Sequence, residues 1–338
     1  MKKNTDDTYI DIPETYSRRK LNAMYREIPL KDTTSRLLRK YFNAMANLYG
    51  VIPLRKAWEI VSDQNTDLVS KEEFFTFAEI ARHECEDYCI MKDDELYLDG
   101  KPTGRLDWKI IDISLLYDED DALHEVEVCQ QGKDYFIPPK AELLRYNDSA
   151  YCESTPQSNR MWIFLSKTLR LDERKAGIAF EDILLYTRCL NGGLQKAVDI
   201  VERAGAVFND KTLSEFASIH QDFNNNTRMQ HNRGYTPNEI NAMSKPEDRI
   251  PKSFSFGPNI RKSLADGTMD ARELRQSILT MELPDKRLRP LMLQALEEAE
   301  SAVKIPKVGR NDPCPCGSGK NTKSAADDNV VRGLYYDN

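Results

Sequence analysis

Two cysteines one residue apart, Cys314 and Cys316, carry the most specific chemistry in the chain. They sit in Gly309-Arg310-Asn311-Asp312-Pro313-Cys314-Pro315-Cys316-Gly317-Ser318-Gly319-Lys320. Pro315 restricts the backbone between the thiols and the following glycines favour a tight turn, so both sulfurs can face one point. That is half of a structural zinc site, which takes four soft ligands in a tetrahedron. Elsewhere His83, Cys85 and Cys89 lie close together, and a metal there would need a fourth ligand. Buried thiols are the plainer reading of Cys85 and Cys89. The run Asp118–Asp121 reads as a solvated loop, because consecutive side chains cannot all aim at one ion. Asn224, Asn225, Asn226 and His231 are polar enough for a cleft, but capping and turn chemistry explains the asparagines at least as well. No P-loop, dinucleotide fingerprint or nucleophile elbow is present, and no nucleophile stands at a recognisable spacing from a base. These residues point away from an enzyme, although an enzyme with a site lacking any known motif stays a third reading.

The stretch from Gly309 to Lys320 resembles the SEC-C motif, a short zinc-binding module known from the C-terminus of the preprotein translocase motor and from many otherwise unrelated bacterial proteins. The resemblance implies zinc as cofactor, held by Cys314 and Cys316 with a further Cys-Cys or Cys-His pair eight residues on. That register falls on Ala325 and Ala326. The usual continuation is Lys-Lys-Tyr-Lys-Lys-Cys-Cys-Gly. One coding of it, AAA AAA TAC AAA AAG TGC TGC GG, loses an A and becomes AAA AAT ACA AAA AGT GCT GCG. The product is Lys-Asn-Thr-Lys-Ser-Ala-Ala, the sequence of Lys320 to Ala326. Residues 321–338 therefore read as an out-of-frame tail, with simple divergence as the alternative. On this reading the chain holds no zinc stably. In its family the module contacts proteins or the ribosome, so the resemblance implies a non-enzymatic adaptor with such a partner. The phrases Asn225-Asn226-Thr227 and Gly234-Tyr235-Thr236-Pro237-Asn238-Glu239 also resemble a segment of uncharacterised bacterial proteins that end in SEC-C motifs.

Behind these residues stands a chain of 338 residues, long enough for two or three domains. Apolar residues make up 40% and charged residues 30%, which favours a globular chain over a disordered one. No apolar run approaches the roughly 20 residues that span a bilayer. The start, Met-Lys-Lys-Asn-Thr-Asp-Asp, lacks the apolar core of a signal peptide. A cytoplasmic protein with free thiols is expected. The net charge of −7 argues against coating by nucleic acid, yet the charge is uneven. Between Ser17 and Lys56 ten basic residues face only Glu27 and Asp32, an excess of eight. Arg36, Arg39, Lys40, Arg55 and Lys56 are the candidates for phosphate contact, and a nucleic-acid-binding regulator is the second functional reading. A solvated helix face neutralised by the acidic stretches that follow is the plainer one.

The positioning elements follow from periodicity. Residues 1–16 read as a polar arm. Thr34–Tyr49 has apolar residues at helical spacing and Gly50 to end it. A second helix is expected over Leu54–Asp63, and a third after Ser70, with Glu73 completing a capping box. Tyr88–Met91 and Glu95–Leu98 flank Lys92-Asp93-Asp94, the pattern of a hairpin. Three helices and a hairpin over 17–100 resemble a winged helix in arrangement. Residues 101–137 read as a connector with a small sheet, Glu125–Val128 alternating and pairing with Asp134–Ile137. Pro138-Pro139 opens a helical domain over 138–243, containing Met161–Leu169, Asp172–Leu190, Leu194–Phe208 and Thr212–Phe223. Thr236 is an N-cap with Glu239 closing its box. Residues 244–268 read as a linker, 269–305 as the last two helices, and 306–338 as the SEC-C remnant with its altered tail. The expected fold class is mainly α: a winged-helix-like N-terminal unit with a small β hairpin, a helical domain and a flexible C-terminal tail.

Overall fold

A computed structural model describes residues 4–5, 8–97, 99–117, 122–190, 192–244, 254–281, 283 and 287–303. The chain is mainly helical and divides into two units, Met1–Met243 and Ser244–Asn338.

The first unit opens with strands β1 (Asn4–Thr5) and β2 (Thr8–Tyr9), paired antiparallel. The segment after them is not a free arm. Asp11 N donates to Glu95 O at 2.8 Å, Tyr16 N donates to His83 O at 3.0 Å, and the Tyr16 ring stacks on His83. Helix α1 (Arg18–Tyr25) is capped by Ser17. Helix α2 (Asp32–Tyr49) places Leu38, Tyr41, Phe42, Met45 and Leu48 inside, as their spacing requires. Gly50 ends it at φ +69°, where a Cβ would stand 2.9 Å from the Gln230 side-chain oxygen. Strand β3 (Val51–Pro53) leads straight into α3 (Leu54–Gln64), and α4 (Lys71–Ala81) follows. The Ser70–Glu73 capping box forms as the sequence predicts, with Glu73 N donating to Ser70 Oγ at 3.3 Å and Ser70 N to Glu73 Oε2 at 2.8 Å.

The expected hairpin does not form. Strand β4 (Tyr88–Met91) is real, but Asp93–Leu96 is a short helix, α5. The Glu95 carboxylate accepts from Lys92 N at 2.9 Å and pairs with Arg82 at 2.5 Å, which closes a helical turn where the second strand was expected. The partner strand is β5 (Lys109–Asp112), the centre of a three-stranded antiparallel sheet ordered β3-β5-β4. Ile110 stands opposite both Ile52 and Ile90. Among the described residues the small sheet expected within 101–137 is absent too, and β5 pairs with β3 and β4, outside that segment. Glu125–Val128 lies in α6 (Ala122–Gln130), which buries Ala122, Leu123, Val126 and Gln130. That is helical spacing, and Val128, on the same side as Val126 in a strand, is 48% exposed.

One core gathers α2, α3, α4 and the sheet around Phe42, Phe74, Phe77 and Tyr88, with Phe42 edge-on to both Phe74 and Tyr88. A second cluster lies between α6 and the other face of the sheet. After α7 (Lys140–Leu143), α8 (Pro156–Ile163) continues through a π turn at Phe164–Thr168. Helices α9 (Glu173–Leu190), α10 (Leu194–Arg203) and α11 (Asp210–Asn226) then enclose a third core containing Met161, Leu184, Phe216 and Phe223. Helix α12 (Pro237–Met243) ends the unit.

The second unit holds α13 (Pro258–Ala265), α14 (Ala271–Thr280) and α15 (Leu288–Val303) around Phe256, Leu264, Ile278 and Leu296. The linker expected over 244–268 is thus overturned from residue 254 onward. Its serines and proline mask Phe256, Ile260 and Leu264, which supply a small core. The residues 306–338, with Cys314 and Cys316, lie outside the described residues, as do Asp118–Asp121.

Candidate interaction surface

The basic segment divides by burial. Arg18, Arg19, Arg26, Arg36 and Lys40 are exposed. Arg36 and Lys40 are one turn apart on α2 and share a face. Arg39, between them, turns inward. Its guanidinium holds Glu84 with Nε at 2.8 Å and Nη2 at 2.6 Å, and lies over the rings of Tyr25 and Phe77. Burial works against its charge, but the Glu84 carboxylate outweighs that and keeps the arginine above its ordinary pKa. Arg55 pairs with Asp107, and Lys56 with Glu59 at 2.9 Å. Of the five residues expected to meet phosphate, three are therefore engaged with carboxylates.

Helix α4 presents the opposite charge. Its aromatic side faces the core, while Lys71, Glu72 and Glu79 are exposed and Glu73 is half-buried. Arg105, from the segment joining α5 and β5, reaches across to Glu72 at 3.0 Å and Glu79 at 3.6 Å. Helix α4 itself carries Lys71 against three carboxylates, and Arg105 offsets two of them.

His83, Cys85 and Cys89 do not converge on a metal-binding geometry. His83 stacks on Tyr16 with ring centroids 3.9 Å apart, and its Nδ1 meets the Glu14 carbonyl oxygen at 2.7 Å. Cys85 is exposed. Burial pushes the Cys89 thiol up to about 11, with Cys85 adding to the shift. Among the described residues no group of three or more His, Cys, Asp or Glu side chains could hold a metal ion.

The asparagine-rich stretch is a joint inside the first unit. Arg228 Nε meets Glu153 at 2.6 Å, its Nη1 meets Glu239 at 2.9 Å, and its guanidinium lies over Phe136. Thr236 and Glu239 form the expected capping box, with Thr236 N donating to Glu239 Oε2 at 2.9 Å. Gln230, fully buried, donates from Nε2 to Asp112 Oδ2 at 2.6 Å. Gln130 donates to the carbonyls of Tyr49 and Gln230 at 2.6 and 2.8 Å. Burial, with the Lys133 ammonium adding to it, pushes His231 down to about 4. Of these residues, sequence reasoning missed Gln130, Gln230 and Asp112. Nothing local marks a glutamine as buried, and only its place inside the distinctive stretch singled out the neighbourhood of Gln230.

The SEC-C motif family model matches residues 310–321 of this chain, and no solved structure matches it. The match ends one residue beyond Lys320. Within it the only soft donors are Cys314 and Cys316, two of the four that tetrahedral zinc takes, and Ala325 and Ala326 stand where the resemblance places the others.

Proposed function

We propose that this chain is a non-enzymatic, cytoplasmic adaptor whose body presents a protein-binding surface and whose SEC-C-like tail contacts a protein or ribosomal partner. The observation that carries this reading is the acidic outer face of α4. The order helix, strand, two helices, strand, short helix, strand, with sheet order β3-β5-β4, supports a winged-helix-like unit running from α2 to β5, in which α5 lies between the last two strands. In such a unit α4 is the helix that would enter a DNA groove. Its three carboxylates, Glu72, Glu73 and Glu79, outnumber the two cations beside them, Lys71 and Arg105, so the face disfavours phosphate and suits a protein partner. The match over 310–321 supports the tail as the second contact.

The regulator reading keeps one supporting observation, the exposed Arg36 and Lys40 one turn apart on one face of α2. Fluorescence anisotropy with labelled duplex and single-stranded probes at low salt separates the two. The adaptor reading expects no binding at micromolar protein. Binding that weakens steeply with salt and vanishes in Arg36→Glu/Lys40→Glu would replace it with the regulator. The tail is tested by metal analysis after mild chelation. This chain should carry negligible stoichiometric zinc, because two thiolates forfeit much of the roughly 10–16 kcal/mol of a full site. A version ending Gly-Ser-Gly-Lys-Lys-Tyr-Lys-Lys-Cys-Cys-Gly should bind one zinc. Equal tight zinc in both would show that other ligands exist.

A further inference from the structure

A cavity of about 340 Å³ opens in the first unit between the end of α2, the turn after β5 and helix α9. Its volume is at the low end of the range of small-molecule sites, roughly 300–1,000 Å³. Its lining combines polar side chains, among them Asn47, Asp87 and Asp112, with the apolar Ile113, Leu115 and Leu185. No cation lines it among the described residues.

Asp112 is the unusual member. It is 7% exposed, and among the described residues its carboxylate accepts only from neutral donors: Ser114 N at 2.9 Å and Ser114 Oγ at 2.8 Å on Oδ1, and Gln230 Nε2 at 2.6 Å on Oδ2. A carboxylate this buried is ordinarily matched by a cation. The nearest cation in sequence to the α9 wall, Arg188, gives its guanidinium to the carbonyls of Ser149 and Tyr151 and borders a different, smaller cavity. Burial pushes the Cys189 thiol in the same wall up to about 12, and the Asp112 charge adds to that shift, so the thiol stays neutral and contributes no competing anion.

We propose that this cavity binds a small organic cation, an ammonium or guanidinium group on a compact apolar body. The cationic head sits against Asp112, with Asp87 at longer range, and the body lies on Ile113, Leu115 and Leu185. The geometry excludes carboxylate and phosphate ligands, which would meet two like charges.

Isothermal titration of the full chain with three probes of one shape tests this: phenethylamine, phenethyl alcohol and phenylacetate. The amine should bind about tenfold more tightly than the alcohol, and phenylacetate should not bind. Asp112→Asn preserves the shape, and the Gln230 amide can turn so that its oxygen, which lacks a partner, accepts from the new amide. In this variant the amine should fall to the affinity of the alcohol, while the alcohol is unchanged and so reports an intact cavity. Should Asp112→Asn not fold, Asp87→Asn, at an exposed position, should weaken the amine a few-fold and leave the alcohol alone. Equal binding of amine and alcohol, amine affinity unchanged in the variants, or no amine binding at millimolar concentration would each overturn the proposal.

Discussion

The basic segment on α1–α3 and the asparagine-rich stretch from Asn224 to Glu239 are both conspicuously polar in sequence, yet they occupy opposite physical regimes. Arg55 is exposed and Lys56 half-buried, and both pair with carboxylates at the surface, Asp107 and Glu59. Surface pairs of this kind contribute about 0–1 kcal/mol each. Gln230 is fully buried, and its side-chain nitrogen donates to Asp112 while its backbone carbonyl accepts from Gln130. A buried polar group left without its partner costs roughly 1–3 kcal/mol. Polarity alone therefore marks neither a ligand surface nor a structural joint. Burial decides which of the two it becomes, and half-buried Arg39, held against the nearly buried Glu84 beside the exposed Lys40, shows the boundary running between adjacent residues.

The comparison breaks most easily at Gly50. Its φ of +69° is strained for any other residue, and a methyl there would press on Gln230 at 2.9–3.1 Å. Gly50→Ala should destabilise the first unit by about 3–5 kcal/mol, combining backbone strain with overpacking. Urea unfolding monitored by tryptophan fluorescence measures it, and a loss below about 1 kcal/mol would mean the joint is loosely packed.

Acid should open the same joint next. His231 titrates at about 4 in the folded chain against 6.5 for the free side chain. Its neutral form is the folded one, so its contribution is complete above pH 6.5 and is lost as the pH falls from 6.5 towards 4. The loss amounts to about 3 kcal/mol as an upper bound. Melting temperature followed from pH 7 to pH 4 should drop more steeply in the parent chain than in His231→Gln. Parallel curves would remove His231 from the joint's energetics.

The basic segment should answer unevenly. Arg39→Ala leaves Glu84 in a half-buried site and should cost about 2 kcal/mol. Lys56→Ala, one helix away, should change stability by less than about 0.5 kcal/mol. Chemical denaturation of the two variants side by side tests the contrast, and similar values would mean that burial does not separate these cations.

What the sequence determined by itself is local. The helices from α2 to α4 and from α8 to α12 follow from apolar spacing, and the boxes at Ser70–Glu73 and Thr236–Glu239 follow from residues three apart, because helix geometry and capping act over one or two turns. The twelve residues from Gly309 to Lys320 were legible for the same reason, since a motif is a local pattern. The tertiary structure decided everything that depends on partners far along the chain. Strand β4 pairs with β5, whose residues lie about twenty positions later, rather than with Glu95–Leu98. The alternation of Glu125–Val128 gives way to a helix, because Val126 and Gln130 meet the sheet and Gln230 on one helical face. Phe256 and Leu264 turn an expected linker into a packed unit. A hydrogen bond from Gln230 to Asp112 spans more than a hundred residues, and no local pattern encodes a contact whose two halves are chosen by how distant helices pack.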